Sequence, residues 1–253
     1  MTTAPDDVVW TLPGSARTRT SLLVLPHAGG NAHAYAEWRA YLPDHVRLLI
    51  GQYPGRGARF SDPLPQGIDD LVTSVVQCLP ADTTDLVVLG HSMGSLVAFE
   101  VARSLTAQGR PPRAFVASAC RAPFLPNPSR VGPAALSDDE LVAVIKSRGG
   151  TDDGILDEPE LREIVLPSIR ADFAIDDDYR FTGALPALGC PVHAIGGDGD
   201  TVVPAEALAR WSELTDRGAA LTVLPGGHFY FQSQMDAFMP LVTAVIESRH
   251  EFA

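Results

Sequence analysis

Asp85-Leu-Val-Val-Leu-Gly90-His-Ser-Met-Gly94-Ser-Leu-Val-Ala-Phe-Glu-Val-Ala102 begins as an apolar run, turns through two glycines and continues as a helix-like segment. That order is the strand–turn–helix context of a nucleophile elbow, G-x-S-x-G. The turn is so sharp that side chains two residues before and after Ser92 would collide, and both positions, Gly90 and Gly94, are glycine. A serine held there sits in a strained backbone state with its hydroxyl lifted off the sheet end. The N-terminus of the following helix favours developing negative charge beside it. Ser92 is therefore the candidate nucleophile. The plainer alternative is a tight turn that merely needs glycine.

Similar apolar runs recur at 21–26, 46–52, 114–119, 192–196 and 221–225. Their length suits strands buried on both faces of a parallel sheet. Helical patterns lie between them at 32–42, 68–79, 95–108, 204–215 and 235–248, and 8–12 could add an antiparallel edge strand. Alternating β and α elements predict an α/β fold with an open, doubly wound sheet. The chain has 253 residues, 19 Lys and Arg against 31 Asp and Glu, and a net charge of −12. A nucleic-acid binder needs a basic face, and docking on anionic membranes is equally disfavoured. No apolar run approaches the ~18 residues of a transmembrane helix. Met1-Thr-Thr-Ala-Pro-Asp-Asp7 lacks the charge and apolar stretch of a secretory signal, so the expectation is a cytoplasmic protein. Cys78, Cys120 and Cys190 are scattered and read as apolar filler in a reducing compartment rather than as a disulfide or metal site.

Residues 121–185 break the rhythm. A Pro-rich exit, Ala122-Pro-Phe-Leu-Pro-Asn-Pro-Ser129, leads to a capping box at Ser137-Asp-Asp-Glu140 and a short helix ending at Gly149-Gly150. A second helix carries Leu161, Ile164, Val165, Ile169 and Phe173 on one stripe, with Pro167 as an expected kink or break. About sixty such residues are too structured for a plain loop. The predicted organisation is a core of residues 1–120 and 186–253 carrying a helical lid at 121–185, over a site at the carboxyl edge of the sheet. Asp176-Asp-Asp178 reads as a solvated charge run, with the edge of the site entrance as the alternative.

A serine hydroxyl needs a base. In α/β-hydrolases the order along the chain is Ser, acid, His. His228, in Pro225-Gly-Gly-His-Phe-Tyr230, is the histidine placed for that role; His250 lies in the C-terminal tail, His193 inside a strand run, and His91 should point away from Ser92. The acid must orient the imidazole. Asp198 and Asp200 both qualify in Gly196-Gly-Asp-Gly-Asp-Thr-Val-Val-Pro204. The spacing G-x-x-D-x-x-V-P, common in related sequences, favours Asp200. An oxyanion hole needs two backbone donors. Met93 N–H follows the nucleophile, and the loop Pro26-His-Ala-Gly-Gly30 offers Ala28 N–H.

Pro26-His-Ala-Gly-Gly30, Gln52-Tyr-Pro-Gly-Arg-Gly57, Gly90-His-Ser-Met-Gly94, Leu166-Pro-Ser-Ile-Arg-Ala-Asp172 and Gly226-Gly-His-Phe229 together resemble the stand-alone type II thioesterases that accompany polyketide synthases and non-ribosomal peptide synthetases. The resemblance runs in order through nearly the whole chain. It implies an α/β-hydrolase fold and a cofactor-free, metal-free serine thioesterase. The substrate implied is an acyl or aminoacyl thioester on the phosphopantetheine arm of an acyl or peptidyl carrier protein, and the role is editing of stalled or mischarged units. It also implies Ser92, Asp200 and His228 as triad, with Ala28 and Met93 as oxyanion donors. The rival readings are a small-ester esterase or perhydrolase of the same fold, and an inactive carrier-binding module. Leu166, Ile169 and Phe173 are expected to contact the acyl chain. Arg56, Arg59 and Arg170 are candidates for the carrier's phosphate or acidic helix, because a net charge of −12 gives no long-range attraction to an acidic carrier.

Overall fold

The computed structural model describes residues 8–15, 18, 20–150 and 153–248. The readings made for Met1–Asp7 and His250 lie outside these residues. In chain order the elements are β1 (Val9–Leu12), β2 (Thr20–Leu25), α1 (His33–Ala36), β3 (Val46–Gly51), α2 (Ile68–Cys78), β4 (Leu86–His91), α3 (Met93–Ala107) and β5 (Ala114–Ser118). There follow α4 (Asp138–Arg148), α5 (Asp153–Asp157), α6 (Pro159–Asp178), β6 (Val192–Gly197), α7 (Ala205–Ala209), β7 (Ala219–Leu224), α8 (Tyr230–Ser233) and α9 (Met235–Glu247).

The continuous apolar runs behave as a two-sided sheet demands. Every residue of β2 is buried. With a side-chain period of two, Leu22 and Val24 join the cluster of Tyr35, Trp38, Phe238 and Val242 on one face. Leu23 and Leu25 join that of Leu49, Phe99, Phe115 and Trp211 on the other. Among the described residues the sheet order is β1-β3-β2-β4-β5-β6-β7. β1 is antiparallel to β3, and the remaining pairs are parallel. The chain therefore has the α/β-hydrolase architecture.

Three local expectations are corrected. The run at 221–225 does form β7, but as an edge strand, leaving Leu221 42% and Val223 40% exposed. The patterns at 32–42 and 204–215 divide into α1 and α7, each followed by a tighter 3₁₀ segment, Glu37–Tyr41 and Arg210–Leu214, that carries a buried tryptophan. Pro167 does not interrupt α6, which runs for 20 residues through it. Pro167 is exposed, so solvent can reach the carbonyl its ring frees, while Leu166 and Ile169 beside it are buried.

Within 121–185 the capping box forms as expected, with the Ser137 hydroxyl accepting from Glu140 N–H and the Glu140 carboxylate accepting from Ser137 N–H. Leu141, Val142, Ile145, Leu156, Leu166, Ile169 and Phe173 form a separate small core. Leu161 and Ile164, placed on the same stripe by spacing, are 44% and 49% exposed. The far end of α6 is tied to the main core, where Ile175 and Tyr179 are buried. The aspartate run is not solvated as a whole. Asp177 is buried and accepts from the Val131 and Gly132 amides at 2.9 and 2.7 Å, tying that turn to α6.

Candidate active site

β4 ends where the chain must reverse into α3, and the reversal fixes Ser92 at φ 55°, ψ −128°. The two glycines are needed for contact reasons that differ. A Cβ on Gly90 would lie 2.1 Å from the Gly94 carbonyl oxygen, and one on Gly94 would lie 2.1 Å from the carbonyl oxygen of Leu25 on β2. Ser92 thus stands at the carboxyl edge of the sheet, where β6 and β7 also end. The loop after β6 carries Asp200, and the loop after β7 carries His228.

These side chains meet. His228 Nε2 lies 2.9 Å from Ser92 Oγ, and His228 Nδ1 lies 2.8 Å from Asp200 Oδ2. Asp200 is held in turn, its Oδ1 accepting from the Val202 and Val203 amides at 2.8 and 3.1 Å. The side chains of His228 and Asp200 are 5% and 0% exposed. Asp198 points elsewhere and accepts from Gly226 N–H at 2.9 Å, bracing the loop ahead of His228. His91 turns away from Ser92 to Ser118 Oγ, 2.8 Å away, and His193 meets Thr222 Oγ1 at 2.9 Å. The amide N–H groups of Ala28 and Met93 have no hydrogen-bond partner among the described residues.

His228 sits against an aromatic wall. Its ring centroid is 5.4 Å from that of His91 and 5.3 Å from that of Phe229. The His27 pKa is lowered to about 3, chiefly by burial and against a hydrogen bond to the Gly150 carbonyl that raises it. Burial likewise lowers the His91 pKa well below the ordinary imidazole value. Both rings are thus neutral around the His228 imidazole.

The model of the thioesterase domain family matches residues 20–252. The chain belongs to the thioesterase family. It is 36% identical over 216 residues to thioesterase PikA5 of Streptomyces venezuelae, covering 84% of this chain and 76% of that one. It is 34% identical over 235 residues to the phenyloxazoline synthase MbtB of Mycobacterium tuberculosis, covering 88% of this chain but 16% of that much longer protein. The solved structure of the type II thioesterase BorB, from the borrelidin biosynthetic cluster, superposes with a TM-score of 0.84 at 34% identity, over 94% of this chain and 97% of that one.

The thioesterase has a cavity of about 200 Å³ that reaches both Ser92 and His228. Leu125, Pro126, Pro128, Val202, Val203 and Ala207 supply its apolar wall, and Arg121, Arg148 and Asp176 its polar one. Burial raises the Asp176 pKa, an effect opposed by Arg121, whose guanidinium lies 3.7 Å away. Sequence reasoning offered the Asp176 run as an edge of the entrance only as an alternative, and missed the wall supplied by 121–129 and Arg148. The signal was present, because 121–129 leaves the carboxyl end of β5, where ligand sites of such sheets form.

The residues expected at the acyl chain and at the carrier have partners within the fold. Leu166, Ile169 and Phe173 do not line this cavity; they face Leu141, Val142 and Ile145 of α4 in the insertion's own core. A buried guanidinium must be paired, which applies to Arg56. Arg56 is 7% exposed and forms a two-pronged pair with Asp172. Arg59 donates to the Gln52 carbonyl at 2.9 Å and pairs with Asp62 at 2.7 Å. Arg170 donates to the carbonyls of Pro133 and Leu136 and pairs with Asp138 at 2.7 Å. Among the described residues no helix is long and apolar enough to cross a membrane.

Proposed function

We propose that this thioesterase releases acyl or aminoacyl groups from the phosphopantetheine arm of acyl or peptidyl carrier domains, clearing stalled or mischarged units. The observation that carries the reading is the unbroken chain of short contacts from Ser92 through His228 to Asp200. Ser92 Oγ attacks the thioester carbonyl while His228 Nε2 takes its proton. Asp200 holds the imidazole with Nδ1–H directed to its carboxylate and stabilises the imidazolium. The oxyanion is received by Ala28 and Met93 N–H. The tetrahedral intermediate collapses, the C–S bond breaks, and His228 returns the proton to the departing thiolate. A water deprotonated by His228 then attacks the acyl-serine. The resulting intermediate expels Ser92, which regains the proton, and the free acid leaves. The insertion at 121–185 acts as the cover of this site, because its segment 125–129 and Arg148 wall the cavity.

The deciding experiment compares hydrolysis of one acyl group presented on a carrier protein, on free pantetheine and as a simple oxygen ester. The carrier-bound thioester should give the highest kcat/KM, and Ser92→Ala should remove turnover on all three. Equal or better turnover of the oxygen ester would favour a small-ester esterase instead. Retained binding to the acyl carrier without turnover by the wild-type chain would favour the inactive module.

The size of the cavity makes a second prediction. Ala207 is half-buried on its apolar wall. Ala207→Leu should leave acetyl transfer to water within about threefold, yet slow a hexanoyl substrate by ~10–100-fold, the scale expected for crowding one or two methylenes. Parallel kcat/KM series over acyl lengths would check this. An unchanged length profile would mean the acyl chain lies elsewhere.

A further inference from the structure

Two sequence blocks have no task in the chemistry above: Gln52-Tyr-Pro-Gly-Arg-Gly57 and Leu166-Pro-Ser-Ile-Arg-Ala-Asp172. In the fold both converge on the loop 26–30. Tyr53 Oη donates to the Pro26 carbonyl at 3.1 Å, and Gln52 Oε1 accepts from Ala32 N–H at 3.0 Å. Arg56 Nη1 donates to the Gly30 carbonyl at 3.3 Å. Across the loop, Asp172 of α6 is fully buried and accepts from Gly29 N–H at 2.7 Å through Oδ2. The same carboxylate takes Arg56 Nη2 on Oδ1 at 2.8 Å and Arg56 Nη1 on Oδ2. Gly29, at φ +80°, lets α6 come this close, since a Cβ there would meet Ile169 Cγ1 at 3.0 Å.

We propose that Asp172 is a positioning residue for thioester hydrolysis, fixing the Ala28–Gly29 peptide so that Ala28 N–H meets the oxyanion. The proposal rests on the reading of Ser92 as nucleophile and Ala28 as donor. A donor contributes to the transition state only if it is already aimed where charge develops. Hydrogen bonds at Gly29 N–H and at the Gly30 carbonyl immobilise the peptide units on the far side of that donor. The insertion thereby completes the oxyanion hole as well as covering the cavity. Arg56 supplies the charge balance that allows a carboxylate to be buried at that point.

Removing one partner alone would strand a buried charge, so the main test removes both. Arg56→Met/Asp172→Leu replaces the pair by apolar side chains, a change that buried ion pairs often tolerate, while depriving Gly29 N–H of its acceptor. Hydrolysis of a free acyl-pantetheine thioester should then show kcat lower by ~100-fold, the effect of a lost oxyanion donor, with KM nearly unchanged. Inhibition by the matching trifluoromethyl ketone, whose adduct carries an oxyanion, should weaken by the same factor. Asp172→Asn keeps an oxygen facing Gly29 and should recover most of the lost kcat. Should the double variant not fold, Asp172→Asn against Asp172→Leu decides, both assayed where circular dichroism shows native structure. A folded double variant with wild-type kcat and ketone affinity would overturn the proposal, as would a change in KM alone. Full turnover by Ser92→Ala would instead overturn the reading beneath it, whatever the clamp variants do.

Discussion

Asp200→Asn should lower kcat by about 10⁴-fold, the loss expected when an imidazole is no longer held in the right tautomer, while Asp198→Asn should leave kcat within about tenfold of wild type. The two aspartates lie two residues apart in one loop, and their partners separate them. Asp200 gives one oxygen to His228 and the other to two backbone amides. Asp198 accepts from Gly226 N–H. Asn at 198 keeps an oxygen facing Gly226 N–H and forfeits only the charge, an effect of about 1 kcal/mol on stability rather than on chemistry. Pre-steady-state acylation of Ser92, measured for both variants beside their melting temperatures, checks the assignment. If Asp198→Asn proves crippling at unchanged stability and Asp200→Asn mild, the acid has been assigned to the wrong residue.

Stability should fall steeply on the acid side of neutrality. The His27 pKa is lowered from 6.5 to about 3 in the folded state, mainly by burial, and that of His91 is lowered for the same reason. Above pH 6.5 these rings are neutral whether the chain is folded or not, and they contribute no pH dependence. Below it the unfolded chain binds protons that the folded chain refuses, so stability is lost as pH falls. Each such ring removes about 1.4 kcal/mol per pH unit. Between pH 6.5 and 5 His27 should therefore cost about 2 kcal/mol, a noticeable share of the ~5–15 kcal/mol that holds an ordinary domain together, and His91 acts in the same direction. Urea unfolding at pH 7.5 and pH 5.0 measures the slope, and His27→Gln should flatten it by about one proton. An unchanged slope in that variant would remove His27 from the explanation.

The parts of this molecule that were legible in its sequence are those set by short-range geometry. Gly90 and Gly94 lie within a single turn; the clash at Gly90 involves backbone that the turn itself brings close, whereas the one at Gly94 comes from Leu25 on the neighbouring β2. His228 and Asp200 follow from chain order, each in the loop after a strand run. Arg56 was legible as a charge but not as a buried one, because its partner Asp172 lies 116 residues away. A stripe of Leu166, Ile169 and Phe173 announces a covered face; it does not say whether the cover is substrate or the helix Asp138–Arg148. β7 reads like any inner strand because its apolar run carries no mark of its neighbour, and its edge position is fixed by topology alone. The aspartate run looked solvated for the same reason, since the amides that Asp177 caps belong to a turn some 45 residues earlier.

The reach of α6 into the loop 26–30 bears on how such enzymes can be altered. A cover joined to its core by loose surface contacts could be exchanged between relatives as an independent cassette. Here Asp172 comes from the insertion, while Arg56 and Gly29 come from two separate loops of the core, and both donate to that one carboxylate. A chimaera that takes its insertion from one parent and its core from another would inherit a functioning donor only if both parents place acid, guanidinium and glycine in the same register. Changes of acyl preference are therefore more accessible through single replacements on the wall of the cavity than through grafting of the whole segment.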